Sequence, residues 1–167
     1  MNKAKIVLYT TLAMFALVVI YAPVGMFMSD NTNVNLTMEP EVSPKQSKAV
    51  AMAMALMQEQ LDNGWVPNNP IWFPSAWLDN TPNFQIGILK VEAQFAYSMA
   101  QYLGRSRGSS PMDERLDKVQ GKMNYDPTVW HYDSSVSAVG LSATSETQYE
   151  NGIKLYAEYQ DSLAKGE

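Results

Sequence analysis

The chain has 167 residues, with 12 Lys and Arg against 17 Asp and Glu, one His and no Cys. Without cysteine there is no disulfide and no thiolate nucleophile, and one histidine cannot build an ordinary imidazole metal centre. The acidic balance disfavours nucleic acid and anionic headgroups as partners, because both call for positive surface.

From Ile6 to Met28 the sequence carries no charge, and Lys3 and Lys5 precede it. At about 1.5 Å per residue such a run covers about 30 Å, the thickness of a bilayer's hydrocarbon core. The hydroxyls of Thr10 and Thr11 can return to carbonyls one turn back, and Tyr9 and Tyr21 sit near the ends where headgroups begin, so the polar residues are cheap in a spanning helix. Lysines on the short N-terminal side predict a cytoplasmic N-terminus and an exported C-terminal part. A cleaved secretory signal has a similar start. Here the run is longer than a usual signal core, it lacks a small-x-small ending, and Pro23 follows Ala22, so the expectation is a retained anchor. Beyond residue 28 there are 10 basic against 17 acidic residues, a net charge of about −7.

Residues 29–42 are rich in Asn, Thr, Asp and Glu without apolar period and read as a flexible tether. Asn35-Leu36-Thr37 matches a glycosylation acceptor, relevant only in a eukaryotic secretory route. The domain is then expected over 43–167. Ser43, Pro44 and Gln46 predict a helix start with a capping box, and Asn63-Gly64 its end. Residues 64–83 hold four prolines with Trp65, Trp72, Phe73 and Trp77. That density excludes a regular helix and predicts ordered turns that keep most of these rings from water. Thr81-Pro82 opens a second helix, with Phe84, Ile88, Val91, Phe95, Met99 and Leu103 as its apolar stripe and Gly104 as its close. Ser110-Pro111 predicts a third, short helix burying Met112, Leu116 and Val119. A fourth is expected from a capping box at Ser145, burying Tyr149, Ile153, Tyr156 and Leu163. The sum is an all-α protein: one transmembrane helix, a tether, and about four helices joined by aromatic and proline-rich loops.

Several residues carry a resemblance: Trp77-Leu78-Asp79-Asn80, then Pro82-Asn83-Phe84, Gly87, Ile88, Leu89, Arg105-Ser106, Asn124-Tyr125-Asp126, Trp130, Ser145-Glu146, Tyr149, Gly152-Ile153 and Tyr156. In order and spacing, residues 76–163 resemble a family of bacterial inner-membrane proteins known as domain-of-unknown-function family 2333. The resemblance implies a single span with a helical domain outside the cytoplasm. It also implies longer chains, so that Glu167 would end a fragment or a shortened member. It implies no activity and no catalytic residue.

Trp72, Trp77, Asp79, Asn80 and Asn83 cluster where the second helix begins, in the combination of rings and amides that binds carbohydrate or peptide. A structural explanation competes with this, in which Asp79 or Asn80 caps the helix and the tryptophans fill the core. Glycan hydrolysis would need two carboxyls close together, and Asp79 and Glu92 lie too far apart along one helix. Glu92, beside Val91, reads as solvated. Arg105 and Arg107 with residues 108–110 form a weak anion-loop candidate. His131, between Trp130 and Tyr132, has no metal or triad partners. Met52, Met54 and Met57 suit a core better than a copper site, since steps of two and three do not converge. No metal site and no cofactor are expected. The expected role is a non-enzymatic, membrane-anchored binding or scaffolding domain in the bacterial periplasm. It would contact the bilayer through residues 6–28 and an envelope protein through the aromatic loop and a helix face. An envelope hydrolase or glycan-binding protein using residues 77–83 is the rival.

Overall fold

A computed structural model describes residues 3–30, 32, 38–106, 113–131 and 141–166, and for 103–106 the backbone alone. These residues form α1 (Lys3–Ser29), α2 (Lys48–Asp62), a 3-10 helix (Pro74–Trp77), α3 (Asn80–Ser106), α4 (Glu114–Met123) and α5 (Ser145–Lys165). No strand occurs among them, so the all-α expectation holds, with four helices after the apolar one.

α1 is apolar on all sides and long and apolar enough to cross a membrane. Thr10 donates its hydroxyl to the carbonyls of Ile6 (3.0 Å) and Val7 (2.9 Å), which satisfies it inside its own helix. The apolar window of α1 buries nothing in the domain. Its last turns do make contact, and Ala22, buried, lies on the side that faces the 3-10 helix.

The start of α2 falls later than the sequence suggests. Gln46 does reach back to the Ser43 N–H (2.9 Å), yet this closes a turn, and α2 begins only at Lys48 with Ser47 as its cap. The reason is tertiary. The Gln160 amide of α5 accepts from the Ser47 N–H (2.8 Å) and donates to the Ser47 carbonyl (2.7 Å), clamping the chain one turn further on. α4 is capped by Asp113, whose carboxylate accepts from the Arg115 N–H. The predicted start at Ser110-Pro111 and the inward Met112 lie outside the described residues, as do Asn35-Leu36-Thr37. α5 is capped by Thr144, leaving Ser145 as its first helical residue. α2 ends as expected, with Gly64 in the left-handed region at φ 86°.

The core joins Val50, Ala53 and Met57 of α2, Leu89, Ala96 and Ala100 of α3, Leu116, Val119 and Met123 of α4, and Tyr149, Tyr156 and Tyr159 of α5, with Trp65. α3 is turned from its expected face. Gln85, Leu89, Glu92, Ala96 and Ala100 are buried at helical spacing, whereas Val91 is 64% exposed. Two alanines, Ala96 and Ala100, lie on this inner face, where small side chains permit a neighbouring helix to come close. α4 and α5 are similarly close at Gly152, where a Cβ would stand 2.7 Å from Met123 Cε and 3.3 Å from Lys122 Cβ.

Candidate functional site

The irregular segment between α2 and α3 is built from buried polar anchors. Gln85, itself buried, accepts from the Val66 N–H (2.9 Å) and donates to the Gly64 carbonyl (2.8 Å). Asn68 donates to the Val129 carbonyl (3.0 Å) and to Glu146 Oε2 (2.7 Å). The indole N–H of Trp65 donates to the Pro127 carbonyl (2.9 Å), and its ring meets Tyr149 edge-on at 5.0 Å. Asn69 donates to Ser75 Oγ (2.8 Å), and Trp77 donates to the Ile71 carbonyl (2.7 Å), which closes the loop on itself. Such a segment is held in one shape by groups whose loss would strand buried polar atoms.

Only Trp65 enters the core. Trp72 is 64% and Trp77 53% exposed, with Ile71 and Phe73 exposed beside them. This corrects the expectation that turns would shelter these rings. The loop's anchors are its polar and proline positions, with Trp65 as the ring it sends into the core, and the other rings are displayed. Trp72 packs edge-on against Trp130 at 6.0 Å, joining the two aromatic loops, and Trp130 meets His131 at 5.8 Å. From residue 63 to 78 the sequence has no charged residue.

Asp79, Asn80 and Asn83 are exposed at the start of α3. Asn83 donates from both its backbone (3.4 Å) and its side chain (2.7 Å) to the Asp79 carbonyl, so it closes the first turn. The Thr81 hydroxyl donates to Asp30 Oδ1 (3.0 Å), tying the start of α3 to the residue after α1. Arg105 belongs to α3, which runs past Gly104 to Ser106, and its side chain lies outside the described residues, as does the rest of the candidate anion loop. The structure thus gathers Trp72, Trp77, Asp79, Asn80 and Asn83 at one end of the domain and leaves Arg105 at the far end of α3.

Glu92 departs most from its reading. It is 2% exposed, burial pushes its carboxyl up to about 8, and Oε2 has no hydrogen-bond partner among the described residues. The phenol of Tyr156 is raised by burial and then by the Glu92 charge. About 20 Å of helix separates Glu92 from Asp79. No cluster of three or more metal-ligating side chains occurs among the described residues.

Residues 2–167 match a family described as uncharacterized proteins conserved in bacteria, domain-of-unknown-function family 2333. The chain belongs to that family. No curated protein and no solved structure matches it. The family match extends over nearly the whole chain, beyond residues 76–163.

Several of the residues on which the resemblance to family 2333 rests prove to be fasteners. The Ser145 hydroxyl donates to the Asp126 carbonyl (2.7 Å) and accepts from the Val129 N–H (3.1 Å), while its own N–H donates to the Val129 carbonyl (3.0 Å). Tyr149 donates to the Tyr125 carbonyl (3.0 Å), and Asp126 closes an Asx turn on Thr128 (2.8 Å). Gly152 admits α4, and Tyr156 fills the core. These residues of the motif specify how the segment 125–129 locks onto α5.

Sequence reasoning missed the roles of Gln85, Asn68 and Gly25. Gln85 had a legible signal, as a polar residue on the inner side of an apolar helix. Gly25 had only its pairing with Ala22 three residues earlier.

Proposed function

We propose that this family 2333 chain is a single-pass protein of the bacterial inner membrane, with its N-terminus in the cytoplasm and α2–α5 in the periplasm, where the domain binds or scaffolds another envelope component without catalysing a reaction. The observation that carries the reading is α1: residues 6–29 hold 24 uncharged residues in one helix, and its apolar window is covered by no part of the domain. A core helix of a soluble protein would be buried. Its last turns meet the domain at the 3-10 helix, and Asp30 accepts from Thr81, contacts that favour a retained anchor over a cleaved signal.

A cleft of about 430 Å³ between residues 40–42, α2 and α5 supports the binding role, with Met54, Ala55, Ile153 and Ala157 among its lining residues. The glycan-hydrolase reading loses support, since retaining and inverting pairs both need carboxyls within about 10 Å. Glycan binding by Trp72, Trp77, Asp79 and Asn83 keeps the support of their exposure.

Membrane fractionation tests the placement: the full chain should resist carbonate extraction, and a reporter active only outside the cytoplasm should be active when fused after residue 166. Release into the soluble fraction would refute the anchor. For the role, affinity capture from detergent-solubilised membranes should return an envelope protein, and recovery of the bait alone across growth conditions would count against scaffolding. Alanine at Asp79 separates the rival, which requires loss of glycan binding with unchanged melting.

A further inference from the structure

The loop that displays these rings meets α1 at a particular height. Ala22, Gly25, Met26 and Ser29, at steps of three, one and three, are the less exposed residues of its C-terminal turns and form one face. The 3-10 helix lies on that face so closely that a Cβ on Gly25 would stand 2.5 Å from Pro74 Cγ and 2.6 Å from Pro74 Cβ. A hydrocarbon core about 30 Å thick takes about 20 helical residues. Counted from Ile6, the first residue after the lysines, it ends near Gly25. A loop pressed laterally against the helix at Ala22 and Gly25 therefore stands where acyl chains give way to headgroups.

The chemistry of the loop suits that layer. Ile71, Trp72, Phe73 and Trp77 are exposed, and no charge occurs from residue 63 to 78, so entry into the interface desolvates no ion. Indole rings with an apolar body and a polar N–H favour this zone. The acidic balance of the exported part excludes attraction to anionic lipid as the cause, which leaves insertion of neutral aromatic surface.

We propose that residues 71–77 form a second, interfacial contact with the same bilayer that α1 spans, so that Ile71, Trp72, Phe73 and Trp77 lie in the headgroup layer and fix the domain's attitude on the membrane. This rests on the reading of α1 as a retained anchor. The occupant is lipid, because the surface is continuous with the lipid-facing helix and level with the edge of its span. Anchoring by α1 alone holds the domain at one point, and a second point of attachment at residues 71–77 sets its tilt. The cleft between α2 and α5 and the exposed Val91 side of α3 are then held at a set orientation for a partner.

The test uses the full chain reconstituted into phosphatidylcholine vesicles, with a matched set whose acyl chains carry bromine close to the headgroup end. Flotation with the vesicles is scored first. Tryptophan emission should then be strongly quenched by the brominated lipid. In the double variant W72F/W77F, which keeps a ring at both positions and gives up the Trp77 bond to the Ile71 carbonyl, the fraction of emission quenched should fall by at least about half, since the tryptophans left include the buried Trp65. Gly25→Ala, which forces Pro74 away from α1, should float equally well and be quenched less. Failure to float would overturn the anchor and this inference together. Flotation with quenching no greater in the wild type than in W72F/W77F would overturn this inference alone, and would leave the loop to a protein or glycan partner.

Discussion

Replacement of Glu92 by glutamine should remove a pH dependence that runs opposite to ordinary acid denaturation. In the folded protein burial raises this carboxyl from 4.5 to about 8. Below pH 4.5 it is protonated whether the chain is folded or not, and it contributes no difference. Between 4.5 and 8 the unfolded chain releases the proton while the folded core retains it. Folding therefore becomes less favourable as pH rises, by up to about 1.4 kcal/mol per pH unit. Integrated from pH 5 to pH 8 this amounts to roughly 3–4 kcal/mol, which in a domain of this size lowers the melting temperature by about 10–15 °C. Glutamine preserves the shape and does not titrate, so E92Q should melt near the wild type at pH 5 and well above it at pH 8. Thermal melts by far-UV circular dichroism of the full chain in a neutral detergent, at pH 5, 6, 7 and 8, measure the difference directly. Contributions from the acidic surface are common to both proteins and cancel. Parallel melting of the two proteins over this range would show that Glu92 ionises in the folded state at its ordinary value, and the buried-carboxyl argument would fall.

Tyr156→Phe removes a buried hydroxyl that has no hydrogen-bond partner among the described residues, so denaturant unfolding should show no loss of stability and a gain of up to about 1 kcal/mol. Ser145→Ala should cost about 1–3 kcal/mol in the same assay, because the Asp126 carbonyl and the Val129 N–H both lose the hydroxyl that holds their loop to α5. Gly152→Val should cost about 1–3 kcal/mol by overpacking against Met123 and Lys122, and Gly152→Ala less, since Met123 Cε is the mobile end of a side chain.

Some of this protein was written in local chemistry. A charge-free run of bilayer length preceded by lysines, a glycine at residue 64 able to turn left-handed, and Tyr149 and Tyr156 at helical spacing each act over a few neighbours or one periodicity, and each appears where the residues place it, whereas Tyr159, beside that stripe in the sequence, is buried and Ile153 and Leu163 only partly so. Other features depended on groups far apart in the chain. α2 starts at Lys48 because Gln160, 113 residues from Ser47, clamps the preceding turn. Gln85 and Glu92 face inward on the side of α3 that carries Ala96 and Ala100, whereas an apolar count selects the neighbouring side. Most of all, composition says that aromatic rings prefer to leave water, but only the packed fold reveals that Trp65 enters the core while Trp72 and Trp77 stay exposed, and that Pro74 of the same loop stands against Gly25 near the end of the apolar helix. Periodicity and turn chemistry are short-range and legible in order along the chain. Competition for core space and the meeting of distant surfaces are properties of the assembled molecule, and it is these that formed the candidate site.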